Sequence, residues 1–134
     1  MGRKIESPRV ALIVEDETEV RELAATLLEE TDLHVVEASS AEEALDYLRT
    51  NGEEVAFIFA DVRLPCLMDG VDLARTVRLR WPWISMVLTS GKPLEDGSRD
   101  ILRSVRFMPK PWRALEVLIE AEKAVHTAAR AAPH

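Results

Sequence analysis

Short apolar runs alternate along the chain with stretches in which apolar residues recur every three or four positions. Five runs are candidate strands: VALIV (10–14), LHVVE (33–37), VAFIFA (55–60), ISMVL (84–88) and VRFM (105–108). The first, third and fourth runs are almost continuously apolar, as in strands that helices cover on both faces. The second run is more polar and is expected at an edge. This alternation predicts an α/β fold on a parallel sheet.

Three of the intervening stretches show clear helical spacing. The sequence SAEE has the form of a capping box and places the start of the second helix at Ser40. The third helix is expected to end at Trp81, because a residue before proline disfavours helical angles. The apolar faces are Val20, Leu23, Ala24, Leu27 and Leu28 in the first helix, Ala41, Ala44, Leu45 and Leu48 in the second, and Leu73, Ala74, Val77 and Trp81 in the third.

The last two helices are less regular in sequence. Two glycines and a proline interrupt the fourth, so that only residues 99–104 are expected to be helical, with Ser98 as the cap. The fifth is expected to begin near Trp112. These elements place one domain at residues 9–127, with short tails at 1–8 and 128–134. The predicted buried face of the fifth helix consists of Leu115, Leu118, Ile119 and Val125.

Composition narrows the classes of protein that fit this pattern. The chain has 134 residues, 47% of them hydrophobic, which suits one compact domain. A net charge of -7 argues against a general nucleic-acid surface. No apolar run approaches the ~20 residues of a membrane span, and the N-terminus lacks the apolar stretch of a signal peptide. We therefore expect a cytoplasmic protein that contacts neither a membrane nor nucleic acid directly.

Polar residues follow four of the predicted strands. In an open parallel sheet, the carboxyl ends of the strands border the binding site. Three consecutive acidic residues follow the first strand, and like charges repel by about 4 kcal/mol per pair at ~4 Å and a dielectric of ~20. A hard divalent cation such as Mg²⁺ prefers carboxylate oxygens and would relieve this repulsion. The residues at the strand ends are Glu15 and Asp16, then Asp61, then Thr89 and Ser90, then Lys110.

These residues resemble the receiver domain of response regulators in two-component signalling. The matching motifs are IVEDE, FADVRLP, MDG at 68–70, LTS at 88–90 and PKPW at 109–112, and together they span roughly residues 9–125. The resemblance implies a flavodoxin-like (βα)5 fold, a doubly wound parallel sheet of five strands in the order 2-1-3-4-5. The loop DVRLPCLMDG is one residue longer than the commoner spacing.

The resemblance also implies aspartyl-phosphate chemistry. Asp61 is expected to be the phosphoacceptor. Asp16, Asp61 and the backbone carbonyl of Arg63 are expected to bind Mg²⁺ directly, and Glu15 is expected to act through a metal-bound water. The protein is not expected to be an enzyme in the ordinary sense, since it would catalyse only its own phosphorylation and dephosphorylation.

The remaining site residues are expected to contact the phosphoryl group or to respond to it. Lys110 would offset the charge of the phosphoryl oxygens. It is preferred over Lys92 because it follows a strand and opens a helix. In the family the bond between this lysine and the next proline is typically cis. Thr89 would bond the phosphoryl group, and Phe107 matches the position of an aromatic switch.

The preferred interpretation is a single-domain receiver that takes a phosphoryl group from a histidine kinase or histidine phosphotransfer protein. It would signal by binding an unknown downstream protein or act as a phosphate sink. A homodimer is one of the oligomeric states that the sequence allows. The alternatives are a phosphorylation-independent adaptor with a vestigial pocket and a receiver excised from a hybrid kinase. An aspartate-nucleophile phosphatase would have D-x-D after the first strand, and a flavin-binding protein would have a phosphate-cradling loop there. The acidic run fits neither.

Overall fold

A five-stranded parallel sheet forms the centre of the protein. The computed structural model describes residues 8–131, with side-chain surroundings up to residue 127. The strand order is β2-β1-β3-β4-β5, which confirms the predicted topology. Each strand lies within two residues of its predicted bounds. The strands are β1 (Val10–Val14), β2 (His34–Ala38), β3 (Val55–Asp61), β4 (Ser85–Ser90) and β5 (Arg106–Pro109).

Helices cover both faces of the sheet, as the doubly wound fold predicts. They are α1 (Thr18–Leu28), α2 (Ala41–Asn51), α3 (Gly70–Arg80) and α4 (Ala114–Ala131). One core contains buried residues of α2 and α3, and the other contains buried residues of α1 and α4. Every residue of β1 and β3 is buried, whereas the edge strand β2 exposes His34 and Glu37. The hydrophobicity of each strand therefore follows its position in the sheet.

The starts of α2 and α3 are fixed by side-chain caps. The Ser40 hydroxyl accepts a hydrogen bond from the Glu43 backbone N–H at 3.0 Å, as predicted. The Glu43 carboxylate accepts from the backbone N–H of Ser39 rather than that of Ser40, so only half of the predicted capping box forms. Asp69 and Asp72 form a complete capping box at the start of α3. Each cap satisfies N–H groups that have no partner within the helix.

The fourth helical element differs from the prediction. It is a 3-10 helix over Asp96–Arg103 that begins after Glu95, so the predicted span 99–104 starts three residues late and ends one residue late, and the predicted cap Ser98 is wrong. The Ser98 backbone N–H instead donates to the Glu95 carbonyl at 2.8 Å. Ile101 is fully buried and holds the segment against the core. Ile101 is the one buried residue of this eight-residue element, so the segment lacks the repeated apolar positions that would have marked its start in the sequence.

The predicted buried face of the last helix is also wrong in part. The helix begins at Ala114, two residues after Trp112, and it exposes Leu115 and Ile119 to 67% and 43%. Val125 packs at the edge of the core, as predicted. Alanines let the helix lie close to the sheet, and the periodicity favoured the larger leucines instead. Among residues 114–127 of this helix, the fully buried ones are Val117, Ala121 and Ala124.

The same preference for large side chains misplaced one residue of α1. Leu23 is 61% exposed, whereas Ala24 and Ala25 are buried. Residues 1–7 and 132–134, which belong to the predicted tails, lie outside the described residues. Within residues 8–131, no helix has both the length and the apolarity needed to cross a membrane.

Candidate functional site

The carboxyl ends of the central strands meet at one edge of the sheet, as predicted. A cleft of about 560 Å³ opens there. Asp61 and Thr89 are paired directly across β3 and β4, and both lie at the carboxyl ends of these strands. The structure thus brings together residues that lie up to 95 positions apart in the sequence. The cleft is lined by Asp16, Glu17, Asp61, Arg63, Leu64, Pro65, Ser90, Gly91, Lys92 and Lys110.

Three carboxylates form the acidic part of the site. One oxygen from each of Glu15, Asp16 and Asp61 lies within 4.8 Å of the other two. Glu15 and Asp61 are buried and Asp16 is exposed. Burial, reinforced by the negative charge of Asp61, raises the pKa of Glu15, even though its carboxylate accepts a hydrogen bond from the Glu17 backbone N–H. Three clustered oxygen ligands with one side open to solvent suit Mg²⁺, which keeps several waters.

Lys110 supplies the positive charge beside these carboxylates. Its Nζ lies 2.8 Å from Asp61 Oδ2 and 3.2 Å from Glu15 Oε1. Burial opposes the charged form of the lysine, but the hydrogen bond and charge of Asp61, together with Glu15, raise the pKa of Lys110 above its ordinary value. The bond between Lys110 and Pro111 is cis, as expected. Lys110, rather than Lys92, therefore contacts the carboxylates.

The backbone around Asp61 is held in place from several directions. The Arg63 backbone N–H donates to Asp61 Oδ1 at 3.0 Å, so both carboxylate oxygens of Asp61 have a partner. The Val62 N–H donates to the Thr89 carbonyl at 2.9 Å. A Cβ on Gly70 would lie 2.2 Å from the Asp61 carbonyl oxygen. The glycine of the MDG motif is therefore required because α3 begins against the backbone of the site.

Thr89 has no partner for its hydroxyl among the described residues. The residue is 2% exposed, and its Oγ1 is a buried atom without a hydrogen bond. Most buried polar groups are bonded, and leaving one unbonded costs about 1–3 kcal/mol. Phe107 is half-buried, pairs with Leu88 across β4 and β5, and packs against the core. The structure thus places Thr89 at the site and Phe107 on the adjacent edge strand.

Glu42 is a residue of the site region that the sequence did not reveal. Its Oε2 accepts hydrogen bonds from the backbone N–H groups of Leu67 and Met68, both at 3.1 Å. These bonds tie α2 to the long loop between β3 and α3. Cys66, in the same loop, is exposed and has a φ of 73°, in the left-handed region. The extra residue of the loop, which was visible in the sequence, is accommodated by this turn and by the glutamate.

Comparison with curated proteins identifies longer relatives. The chain is 35% identical over 107 residues to the hydrogenase transcriptional regulatory protein HoxA of Cupriavidus necator, covering 75% of this chain and 21% of HoxA. It is 28% identical over 111 residues to the response regulator GtcR of Aneurinibacillus migulanus, covering 82% of this chain and 45% of GtcR. The chain spans less than half the length of these two relatives.

Comparison with solved structures agrees with the topology. The response regulator receiver protein from Pseudomonas putida superposes with a TM-score of 0.77 at 26% identity, covering 89% of this chain and 99% of that one. The family model of the response regulator receiver domain matches residues 11–122, which contain all four strand ends of the site. The chain therefore belongs to the response regulator receiver domain family.

Proposed function

We propose that the protein is a phosphoacceptor signalling module that takes a phosphoryl group onto Asp61. The donor is the phosphohistidine of a histidine kinase or of a histidine phosphotransfer protein. The observation that carries this proposal is the position of the Asp61 carboxylate, within hydrogen-bonding distance of Lys110 and clustered with Glu15 and Asp16. A carboxylate that could act as the nucleophile, a cation and two further carboxylates thus lie in one cluster.

The transfer requires a carboxylate to attack a phosphoryl group that is itself negatively charged. An oxygen of Asp61 forms the new P–O bond while the P–N bond to the donor imidazole breaks, and the electron pair leaves with the imidazole. Lys110 offsets charge on the phosphoryl oxygens during this in-line displacement. Its raised pKa keeps the ammonium protonated, which this role requires.

The clustered oxygens fit Mg²⁺, which supplies further positive charge for the phosphoryl oxygens when it is bound. Asp16, Asp61 and the backbone carbonyl of Arg63 would hold the ion directly, and Glu15 would hold it through a water. The ratio of charges supports this assignment, because Lys110 is, among the described residues, the one cation bonded to a cluster of three carboxylates, which leaves net negative charge for a metal ion to balance. Asp16 is exposed, which suits a ligand at the open side of the cleft.

Phosphorylation changes the hydrogen-bonding capacity of Asp61 and so carries the signal. A phosphoryl group adds negative charge and strong acceptor oxygens. The unpaired Thr89 hydroxyl gains a partner only in that state, and the loop that follows Thr89 would move with it. Phe107 would adjust on the neighbouring strand. The output is altered binding of a downstream protein or, where no such protein binds, withdrawal of phosphate from the donor.

An adaptor that ignores phosphorylation is the second candidate. It would keep the fold and lose the chemistry of the cleft. The pairing of Asp61 with Lys110 at 2.8 Å speaks against a vestigial site. A receiver that acts within a hybrid kinase would use the same chemistry on the same residue.

Intact-mass spectrometry after incubation with acetyl phosphate and Mg²⁺ tests the proposal. We expect the wild type to gain one phosphoryl group, and we expect Asp61→Asn and a chelator to abolish the gain. The matched control is Asp96→Asn, because Asp96 is an exposed aspartate away from the cleft. Equal labelling of the Asp61 and Asp96 variants would refute the assignment of Asp61. An unlabelled wild type would favour the adaptor.

A further inference from the structure

A second cleft, of about 680 Å³, adjoins the phosphorylation site. It lies between the loop after β3 and the segment that runs from β4 into the 3-10 helix. Four residues line both clefts, so the two clefts adjoin each other at these residues. The shared residues are Arg63, Leu64, Ser90 and Lys92.

Lys92 stands at this junction and is not used by the proposed phosphotransfer. Its backbone N–H donates to the Ser90 hydroxyl at 3.1 Å, and the Lys110 backbone N–H donates to the Ser90 carbonyl at 2.9 Å. The buried Ser90 therefore fixes the starting points of both lysine side chains. Within the part of the chain that the structure describes, the Lys92 ammonium forms no ion pair and no hydrogen bond.

The charges of the cleft create a need for such a cation. An anionic phosphoryl donor approaches the cluster of Glu15, Asp16 and Asp61, and like charges repel it. Lys110 is already bonded to two of these carboxylates. An exposed ammonium at the mouth of the cleft raises the local concentration of an anion without being neutralised by the carboxylates.

We propose that Lys92 attracts the phosphoryl group of the incoming donor into the cleft that holds Asp61 before transfer. This inference rests on the proposed function and assigns one more residue to it. Lys92 takes part in no bond making or breaking. Its effect is on capture of the donor, and the decay of the phosphorylated protein does not depend on it.

The test compares Lys92→Met with Lys123→Met, which removes the same charge from an exposed lysine on α4, outside both clefts. Intact mass gives the rate of labelling at low acetyl phosphate, with Mg²⁺ present, at low and high salt. We expect the second-order rate constant of Lys92→Met to fall about threefold at low salt, because exposed charges steer ligands only weakly. High salt should abolish the difference in rate between Lys92→Met and the wild type. Lys92→Arg, which keeps the positive charge, should label at the wild-type rate.

Three readouts separate capture from a structural effect. The decay rate of the phosphorylated protein and the melting temperature should be the same in Lys92→Met and in the wild type. Phosphoramidate, a less negative donor with a P–N bond, should show a smaller effect than acetyl phosphate. The role of Lys92 would be overturned by equal labelling rates in the two methionine variants, by a loss of rate that does not depend on salt, or by an altered decay rate. These results would leave the proposed function standing. A wild type that no donor labels would overturn the proposed function as well.

Discussion

The two sides of the cleft differ in how completely their polar groups are paired. At the ends of β1 and β3, both oxygens of Asp61 have partners, and Glu15 bonds to Lys110 and to a backbone N–H. At the end of β4, the buried Thr89 hydroxyl has no described partner, and a loop and a 3-10 helix follow it. Under the proposed function, the first side would receive the phosphoryl group and the second side would change when that group arrives.

The largest effect is expected from removing Lys110, the cation of the paired side, by which we mean the ends of β1 and β3 with Glu15 and Asp61. Lys110→Met leaves two buried carboxylates without their counter-charge. We expect labelling by acetyl phosphate to slow at least tenfold. The free energy of unfolding should fall by about 2 kcal/mol, which is less than the roughly 3–5 kcal/mol of a fully buried pair, because the Lys110 side chain is 24% exposed. Urea unfolding and intact mass measure these two effects, and an unchanged labelling rate would show that the cation is dispensable.

Mg²⁺ should strengthen the paired side by binding only the folded protein. At a concentration tenfold above its dissociation constant, the ion should add about 1.4 kcal/mol to the free energy of unfolding. Thermal melts with and without Mg²⁺ measure this gain. Asp16→Asn should reduce it, whereas Asp96→Asn should leave it unchanged. A gain of the same size in both variants would place the ion elsewhere.

Removing the unpaired Thr89 hydroxyl should change the stability of the β4 side without preventing phosphorylation of Asp61. Thr89→Val should raise the free energy of unfolding by about 1 kcal/mol, because it replaces an unbonded buried hydroxyl with a methyl group. Labelling of Asp61 should persist. Thr76→Val is the matched control, since the Thr76 hydroxyl donates to the Asp72 carbonyl at 3.1 Å. A loss of stability at Thr89 as large as that at Thr76 would mean that its hydroxyl is already bonded.

The smallest effect is expected from removing Glu42, whose carboxylate connects α2 to the loop between β3 and α3. Glu42→Ala removes the acceptor of the N–H groups of exposed Leu67 and half-buried Met68, which water can reach, so the free energy of unfolding should fall by only about 0.5 kcal/mol. Hydrogen exchange of those two amides should accelerate. Glu42→Gln retains an acceptor oxygen and should keep most of the protection. Unchanged exchange in the alanine variant would show that the loop holds its shape without the glutamate.

Sequence reasoning succeeded where the topology of the sheet determines the outcome. Once the strands are parallel, residues that follow them must meet at one edge, and this brought Asp61 to Lys110 although the two residues lie 49 positions apart in the sequence. It failed where the distance between a helix and the sheet decides which residues of the helix are buried. Leu115 and Leu23 were predicted to be buried, yet small alanines occupy the contact surfaces and allow close approach. Glu42 was missed because its partners lie 25 and 26 positions away and are backbone groups, which carry no sequence signature.

Amide hydrogen exchange of residues 91–105, measured with and without steady phosphorylation by acetyl phosphate and Mg²⁺, tests the central claim most directly. The claim is that phosphorylation on the paired side alters the unpaired side through Thr89. The account predicts a change in exchange in the wild type that is absent in Asp61→Asn and strongly reduced in Thr89→Val. Identical exchange in the phosphorylated and unmodified wild type would contradict it.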